Sequence, residues 1–160
     1  MEFIWSPWRY DYLASGGVKP SSCVFCVTED RTHDEERLIV HRGVHNFVIL
    51  NLFPYTSGHV MVAPYEHLDT IVSAKSDQLA EMMHLAQRLI PVLKKLYKPD
   101  GFNLGMNLGT AAGAGIREHF HLHVVPRWIG DANFMSITAE TRVLPEELHV
   151  TYKRIKAELS

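Results

Sequence analysis

Residues 119–125 read His-Phe-His-Leu-His-Val-Val, and this stretch decides how the rest of the chain is interpreted. Side chains alternate between the two faces of a β-strand, so a strand here places three imidazoles on one face and apolar side chains on the other. Successive imidazoles are then expected roughly 6.5–7 Å apart, from a rise of ~3.3 Å per residue. A lone histidine on a strand is often an ordinary polar side chain. Three in strict alternation indicate a functional site.

The patterns on both sides of this stretch predict further strands and two helices. Apolar residues at helical spacing predict a long helix from Asp77 to Tyr97, with Ser76 as its cap and Pro91 as a kink or a solvated position. Pro145-Glu146-Glu147 is expected to begin a last helix. Strands are expected at residues 38–41, 46–50, 59–63, 101–108 and 119–125. Antiparallel strands with one long and one terminal helix indicate an α+β domain.

Length, charge and cysteine count limit the class of protein. The chain has 160 residues, a length that predicts one domain over residues 1–160. Its two cysteines are too few for a disulfide framework. The net charge is −2. No broad basic field for long nucleic acid is expected, and no apolar run approaches the roughly 20 residues of a membrane span. We therefore expect a cytoplasmic protein. An aromatic N-terminal arm, within residues 1–35, is expected to cover the core or a subunit interface.

The histidine stretch, followed by Pro126-Arg127, resembles the signature of the histidine triad (HIT) superfamily. The segment from Asn51 to His67 resembles that family's nucleotide-pocket segment, and residues 101–109 resemble the strand before the triad. Residues 128–135 and 141–145 resemble the tail of the diadenosine tetraphosphate phosphorylase-like branch, so the resemblance spans roughly residues 5–150. It implies a HIT-like antiparallel sheet of about five strands. It also implies a homodimer.

The resemblance implies a role for each histidine of the site. His121 matches the nucleophile, which attacks the α-phosphorus and carries the nucleotidyl group until an acceptor removes it. Imidazole suits this chemistry because it is neutral and nucleophilic near neutral pH. His123 is expected to contact the phosphate or the leaving-group oxygen. His59, matching a fourth histidine, is expected to orient His121 or to bind the same phosphate.

Substrate-binding residues are implied in two loops. Asn51 matches a position that reaches the ribose, and Asn107 matches one beside the phosphates. Gly113 and Gly115 belong to a small-residue loop whose N–H groups are expected to approach phosphate oxygens. Each residue is equally compatible with an ordinary turn, and the loop with a flexible hairpin connection.

Cys23 and Cys26 have the spacing of a zinc-ligand pair. A redox function for this motif requires a thioredoxin-like βαβ setting, which the sequence does not predict. The resemblance implies that His67 and the first triad histidine, His119, complete a closed structural Zn²⁺ site. His41 and His45 are competing ligands.

The leading functional hypothesis is cleavage of an adenine dinucleotide such as diadenosine tetraphosphate, with inorganic phosphate as acceptor. Residues 111–116 lack the glutamine that fragile-histidine-triad hydrolases carry before the triad, which favours phosphorolysis over hydrolysis. An adenosine phosphoramidase and another nucleotidyl transferase remain open. So do a zinc-stabilised nucleotide sensor without turnover and a three-histidine metalloenzyme.

Overall fold

The computed structural model describes residues 23–27, 31–131 and 146–159. Within them lie five strands, two α-helices and two short 3₁₀ turns, at Ile71–Ser73 and Thr110–Ala112. In chain order the elements are β1 (Ile39–Arg42), β2 (Asn46–Leu50), β3 (Val60–Pro64), α1 (Ser76–Tyr97), β4 (Gly101–Met106), β5 (Leu122–Arg127) and α2 (Leu148–Leu159).

The five strands form one antiparallel sheet in the order β1-β2-β3-β5-β4. The predicted α+β architecture, with an antiparallel sheet of about five strands, is therefore confirmed. In register, Met61 of β3 and Gly105 of β4 flank His123 of β5. The end of the triad thus lies between two neighbouring strands, and β4 forms one edge of the sheet.

Each face of the sheet packs against a different layer. One face packs against both helices, through a core that includes Leu89 of α1 and Ile155 of α2, neither of them exposed. The opposite face carries a smaller apolar cluster built from Ile39, Phe47 and Met61, and Phe25 of the N-terminal segment covers it. The cysteine-containing segment consequently lies on the face that bears the histidine site.

Strand boundaries differ from the predictions by one to three residues. β2 lies where expected, whereas β1 and β3 begin one residue later and β4 ends at Met106. The largest difference is at β5, which begins at Leu122 rather than His119. The reason is that the Phe120 N–H donates to the Leu68 carbonyl at 2.7 Å, outside the sheet ladder.

The helices also begin differently from prediction. Ser76 is the first helical residue rather than the cap, and the Lys75 N–H at the true cap donates to the Gln78 side chain at 2.8 Å. Pro91 lies at an exposed position inside α1, and the helix continues past it. Of the two predicted outcomes, a kink or a solvated position, the structure shows the solvated position. α2 begins at Leu148, so Glu146 and Glu147 are not helical, contrary to the prediction. The helical hydrogen bonds start at the Glu147 carbonyl, which accepts the Thr151 N–H at 3.0 Å.

Several predictions fall outside the described residues. They concern the arm over residues 1–22, the block from 132 to 145 and Pro145 as a helix start. Across the described ranges, no helix combines the length and apolar character needed to cross a bilayer.

Candidate active site

The three triad histidines do not lie on one regular strand. His119 and His121 precede β5, and only His123 lies within it. The ring centroids of His121 and His123 are 4.8 Å apart, closer than the spacing predicted for a regular strand. The irregular backbone before Leu122 allows this approach. The predicted apolar alternation holds, since Phe120, Leu122 and Val124 are all buried, but His119 and His121 are buried too.

The protonation of His121 follows from its neighbour. Its Nδ1 lies 2.9 Å from the His119 carbonyl oxygen, which can only accept, so Nδ1 carries the proton. Nε2 then holds an unprotonated lone pair. Burial lowers the pKa of His121, against a smaller opposing effect of the carbonyl hydrogen bond. Near neutral pH the ring is therefore a neutral imidazole with one nucleophilic nitrogen.

His59 and His123 form a second hydrogen-bonded unit. The Tyr55 N–H donates to His59 Nδ1 at 3.1 Å, so His59 carries its proton on Nε2. His59 Nε2 lies 2.9 Å from His123 Nδ1 and donates to it, which leaves the His123 proton on Nε2. The Tyr55 ring stacks on His59 at 4.8 Å. His59 was expected to orient His121 or to bind the same phosphate. The triad histidine that it contacts is His123, and both expected roles stay predictions.

The protonation state of His123 is set by its surroundings. Burial, followed by the proximity of His121, lowers the pKa of His123 to about 4. The ring is therefore neutral near pH 7 and offers one N–H as a donor. A neutral donor beside a neutral nucleophile suits a reaction in which negative charge develops on a leaving oxygen.

The expected substrate-binding residues lie in two loops. Asn51 accepts the Phe53 N–H on its side-chain oxygen at 2.9 Å, and its Nδ2 lies 3.4 Å from His59 Nδ1. Asn107, Gly113 and Gly115 lie in the connection between β4 and β5. Gly113 has a φ of 80°, and a Cβ built on Gly115 would meet no heavy atom within 4 Å. The Gly113 N–H donates to the Thr110 carbonyl at 3.0 Å, whereas the space beside Gly115 is open. The binding roles of these residues stay predictions.

A group of metal-ligand side chains lies beside the histidine site. The ligand atoms of Cys23, Cys26, His67 and His119 all lie within 4.8 Å of one another. Three Sγ to Nδ1 distances are 3.2, 3.5 and 3.9 Å. A tetrahedral ion with bonds of about 2.3 Å to sulfur and 2.0–2.1 Å to nitrogen separates such ligands by roughly 3.6 Å. The arrangement fits a tetrahedral ion.

Hydrogen bonding and charge also fit a metal in this group. The Pro64 carbonyl lies 2.8 Å from His119 Nε2 and fixes the proton there, so the Nδ1 lone pair faces the thiols. Burial, and then the neighbouring Cys23, raise the pKa of Cys26. Two adjacent thiolates repel each other, and a bound cation offsets that repulsion. These four residues can therefore hold a metal ion.

The competing ligands lie elsewhere. His41 Nε2 is 3.2 Å from an Arg88 nitrogen, and His45 Nε2 is 3.5 Å from an Asp77 oxygen. Within the part of the chain that the structure describes, the cysteine and histidine group is the one set of converging metal ligands. That finding gives no support to a metal held by the three triad histidines.

Two residues at the site were not predicted. Phe25 contacts the rings of His119 and His121, and its position between the two cysteines was the available signal. Tyr55 supports His59 through its backbone N–H, an interaction that the sequence does not indicate because it depends on the path of the loop.

Comparison with known proteins identifies a related family. The HIT domain family matches residues 33–128. The AP-4-A phosphorylase of Mycobacterium tuberculosis is 42% identical over 164 aligned residues, which cover 99% of this chain and 84% of that protein. The similarity therefore extends well beyond the histidine stretch.

Solved structures share the fold over most of its length. A zinc-bound histidine triad family protein from Mycobacterium smegmatis superposes with a TM-score of 0.67 and 28% identity, covering 86% of this chain and 93% of that one. A histidine triad nucleotide-binding protein from Sulfolobus tokodaii gives a TM-score of 0.66 and 27% identity, with coverage of 86% and 91%.

Proposed function

The chain belongs to the histidine triad family, and we propose that it cleaves dinucleoside polyphosphates through a nucleotidyl intermediate on His121. The observation that carries the proposal is the hydrogen bond from His121 Nδ1 to the His119 carbonyl, which leaves Nε2 free to attack. Diadenosine tetraphosphate is the proposed substrate, supported by the similarity to a relative named AP-4-A phosphorylase.

In the first proposed step, the Nε2 lone pair of His121 forms a bond to the α-phosphorus. The bond from that phosphorus to the bridging oxygen breaks, and ATP leaves with the electron pair. His123 donates its Nε2 proton to this oxygen in a hydrogen bond, which stabilises the developing charge. The product is AMP joined to His121 by a P–N bond. The imidazole is then cationic, and the His119 carbonyl stabilises its Nδ1 proton.

In the second step, an oxygen of inorganic phosphate attacks the same phosphorus and forms ADP. The P–N bond breaks, and its electron pair returns to Nε2, which regenerates neutral His121. Asn51 is proposed to hold the ribose, and Asn107 with the backbone at Gly113 and Gly115 to hold the phosphates. The absence of a glutamine in residues 111–116 supports phosphate rather than water as acceptor.

The test is an assay with purified, zinc-loaded protein and diadenosine tetraphosphate, with and without inorganic phosphate, beside the His121→Ala variant. ADP and ATP formed only with phosphate support phosphorolysis, whereas AMP and ATP in plain buffer identify a hydrolase. Unchanged binding of intact nucleotide without turnover identifies a sensor. Full activity of His121→Ala contradicts the covalent mechanism.

We further propose that the metal is Zn²⁺ with a structural role, held by Cys23, Cys26, His67 and His119. A Cys₂His₂ set is the donor chemistry that zinc prefers, and four protein ligands leave no open position for substrate. Bound zinc would supply a tether between the N-terminal segment and the approach to β5. Metal analysis tests this: Cys26→Ser should lose bound zinc, and His41→Ala should retain it.

A homodimer and a cytoplasmic location complete the proposal, within a single domain over residues 1–160. Support for the dimer comes from β4, which lies at the edge of the sheet, and from exposed apolar side chains beside it. Met83 of α1 is 53% exposed and Leu104 of β4 is 39% exposed. Sedimentation of wild type and Leu104→Asp tests it, because a charge at this edge should dissociate the dimer.

A further inference from the structure

Phe25 joins the metal-ligand group to the proposed nucleophile. The Cys26 N–H donates to the Cys23 carbonyl at 3.0 Å, so the loop closes as a tight turn. The Phe25 side chain within this turn is 2% exposed. Its ring centroid lies 4.7 Å from that of His121 and 5.4 Å from that of His119. One turn therefore carries two thiols to the ligand group and an aromatic ring onto His121.

His119 makes a second connection between the same two sites. Its Nδ1 lies 3.5 Å from Cys23 Sγ, and its Nε2 donates to the Pro64 carbonyl. Its own carbonyl accepts the Nδ1 proton of His121 at 2.9 Å. The ring of His119 is thus oriented by the ligand group, while its backbone selects the tautomer of His121.

We propose that Phe25 holds the His121 ring in position, and that metal binding by the four-residue group keeps Phe25 in place. Phe25 limits rotation of the imidazole, and the His119 carbonyl keeps the proton on Nδ1. Together they preset one rotamer and one tautomer, so that Nε2 remains the nucleophile. Phe25 is a positioning residue, since it acts on the reaction through His121.

The physical reason is that a neutral imidazole has two tautomers and can rotate its ring, and only one combination presents Nε2 to phosphorus. Displacing a reacting group by about 1 Å can reduce a rate by as much as 10²-fold. A purely structural role for Phe25, which also packs in the cluster of Ile39, Phe47 and Met61, would instead lower stability alone. Folded protein would then react at the wild-type rate.

The experiment compares zinc-loaded Phe25→Ala and Phe25→Leu with a matched control, Val24→Ala. Val24 is in the same loop but 52% exposed. Four quantities are measured on each protein: zinc per chain, steady-state kcat, KM, and the long-range ¹H–¹⁵N spectrum of the His121 ring. The kinetic part rests on the proposed function, whereas the spectrum needs no substrate.

We expect Phe25→Ala to keep its zinc and its KM, to lose roughly 10- to 100-fold in kcat, and to populate both tautomers of His121. Phe25→Leu should recover part of the rate, and Val24→Ala should match wild type. Chelation of wild type should mix the tautomers similarly while far-ultraviolet circular dichroism is retained.

A zinc-loaded Phe25→Ala with wild-type kcat and ring spectrum would overturn the proposal, and so would losses that only follow lost zinc. If Phe25→Ala does not fold, Phe25→Leu decides by the same criteria. A wild-type protein that shows one His121 tautomer but no turnover refutes the proposed function alone, so the two failures are distinguishable.

Discussion

Replacing His59 by phenylalanine tests the hydrogen-bonded unit that ends at His123. His59 is 1% exposed, and phenylalanine retains a flat ring against Tyr55 while removing both nitrogens. His123 Nδ1 then loses the donor that lies 2.9 Å away, and the preference for a proton on Nε2 disappears with it. The variant should therefore stabilise the charge on the leaving oxygen poorly and attack phosphorus normally.

The size of the effect follows from that single hydrogen bond. Leaving a buried acceptor without its donor costs about 1–3 kcal/mol. Each 1.4 kcal/mol corresponds to a factor of ten, so the donor form of His123 should decrease by roughly 5- to 150-fold. The loss in rate should be larger for a more basic leaving group, because its oxygen depends more on a hydrogen-bond donor.

The assay compares two aryl esters of AMP, with 4-nitrophenol and phenol as leaving groups. For His59→Phe, kcat/KM should fall by an additional factor of roughly 10–100 for the phenyl ester relative to the nitrophenyl ester. His149→Phe, at a 58% exposed side chain, serves as control and should behave as wild type. Equal losses for both esters would refute the reasoning, because they would indicate general damage to the site.

Three further predictions concern stability. Glu81→Gln should lower the free energy of unfolding by about 2–3 kcal/mol in urea titrations, because its carboxylate accepts four hydrogen bonds, from the N–H groups of Val44 and His45 and from two nitrogens of Asn46; an unchanged midpoint contradicts this. The pKa of His123 is held at about 4, below its ordinary 6.5, so the unfolded chain binds more protons between these values. Stability present above pH 6.5 should therefore fall as the pH drops towards 4, by about 3 kcal/mol, and this component should be missing in His123→Phe. Gly58→Ala should lower the melting temperature, because Gly58 has a φ of +75° and a new Cβ would lie 3.0 Å from the Tyr97 ring; a wild-type melting curve would exclude that strain.

The fold could be predicted closely because its determinants are local. Alternating and helical apolar spacing indicated all five strands and α1, since burial of one face follows directly from these periodicities. The ends of elements were less accurate. They depend on contacts from elsewhere in the chain, such as the Leu68 carbonyl that takes the Phe120 N–H and delays β5.

The sequence by itself determined which chemistry is available. It supplies three alternating histidines, a cysteine pair at zinc spacing and the apolar patterns that form the strands and helices around them. Tertiary structure alone decided which groups meet. It placed His67, which the family resemblance had implied, beside the thiols and kept His41 and His45 away from them. It also joined His59 to His123 and brought Phe25 against His121. The physical reason is that residue types and their spacing are local properties of the sequence. The tautomer of an imidazole instead depends on a donor or acceptor that only folding brings to a distance of about 3 Å.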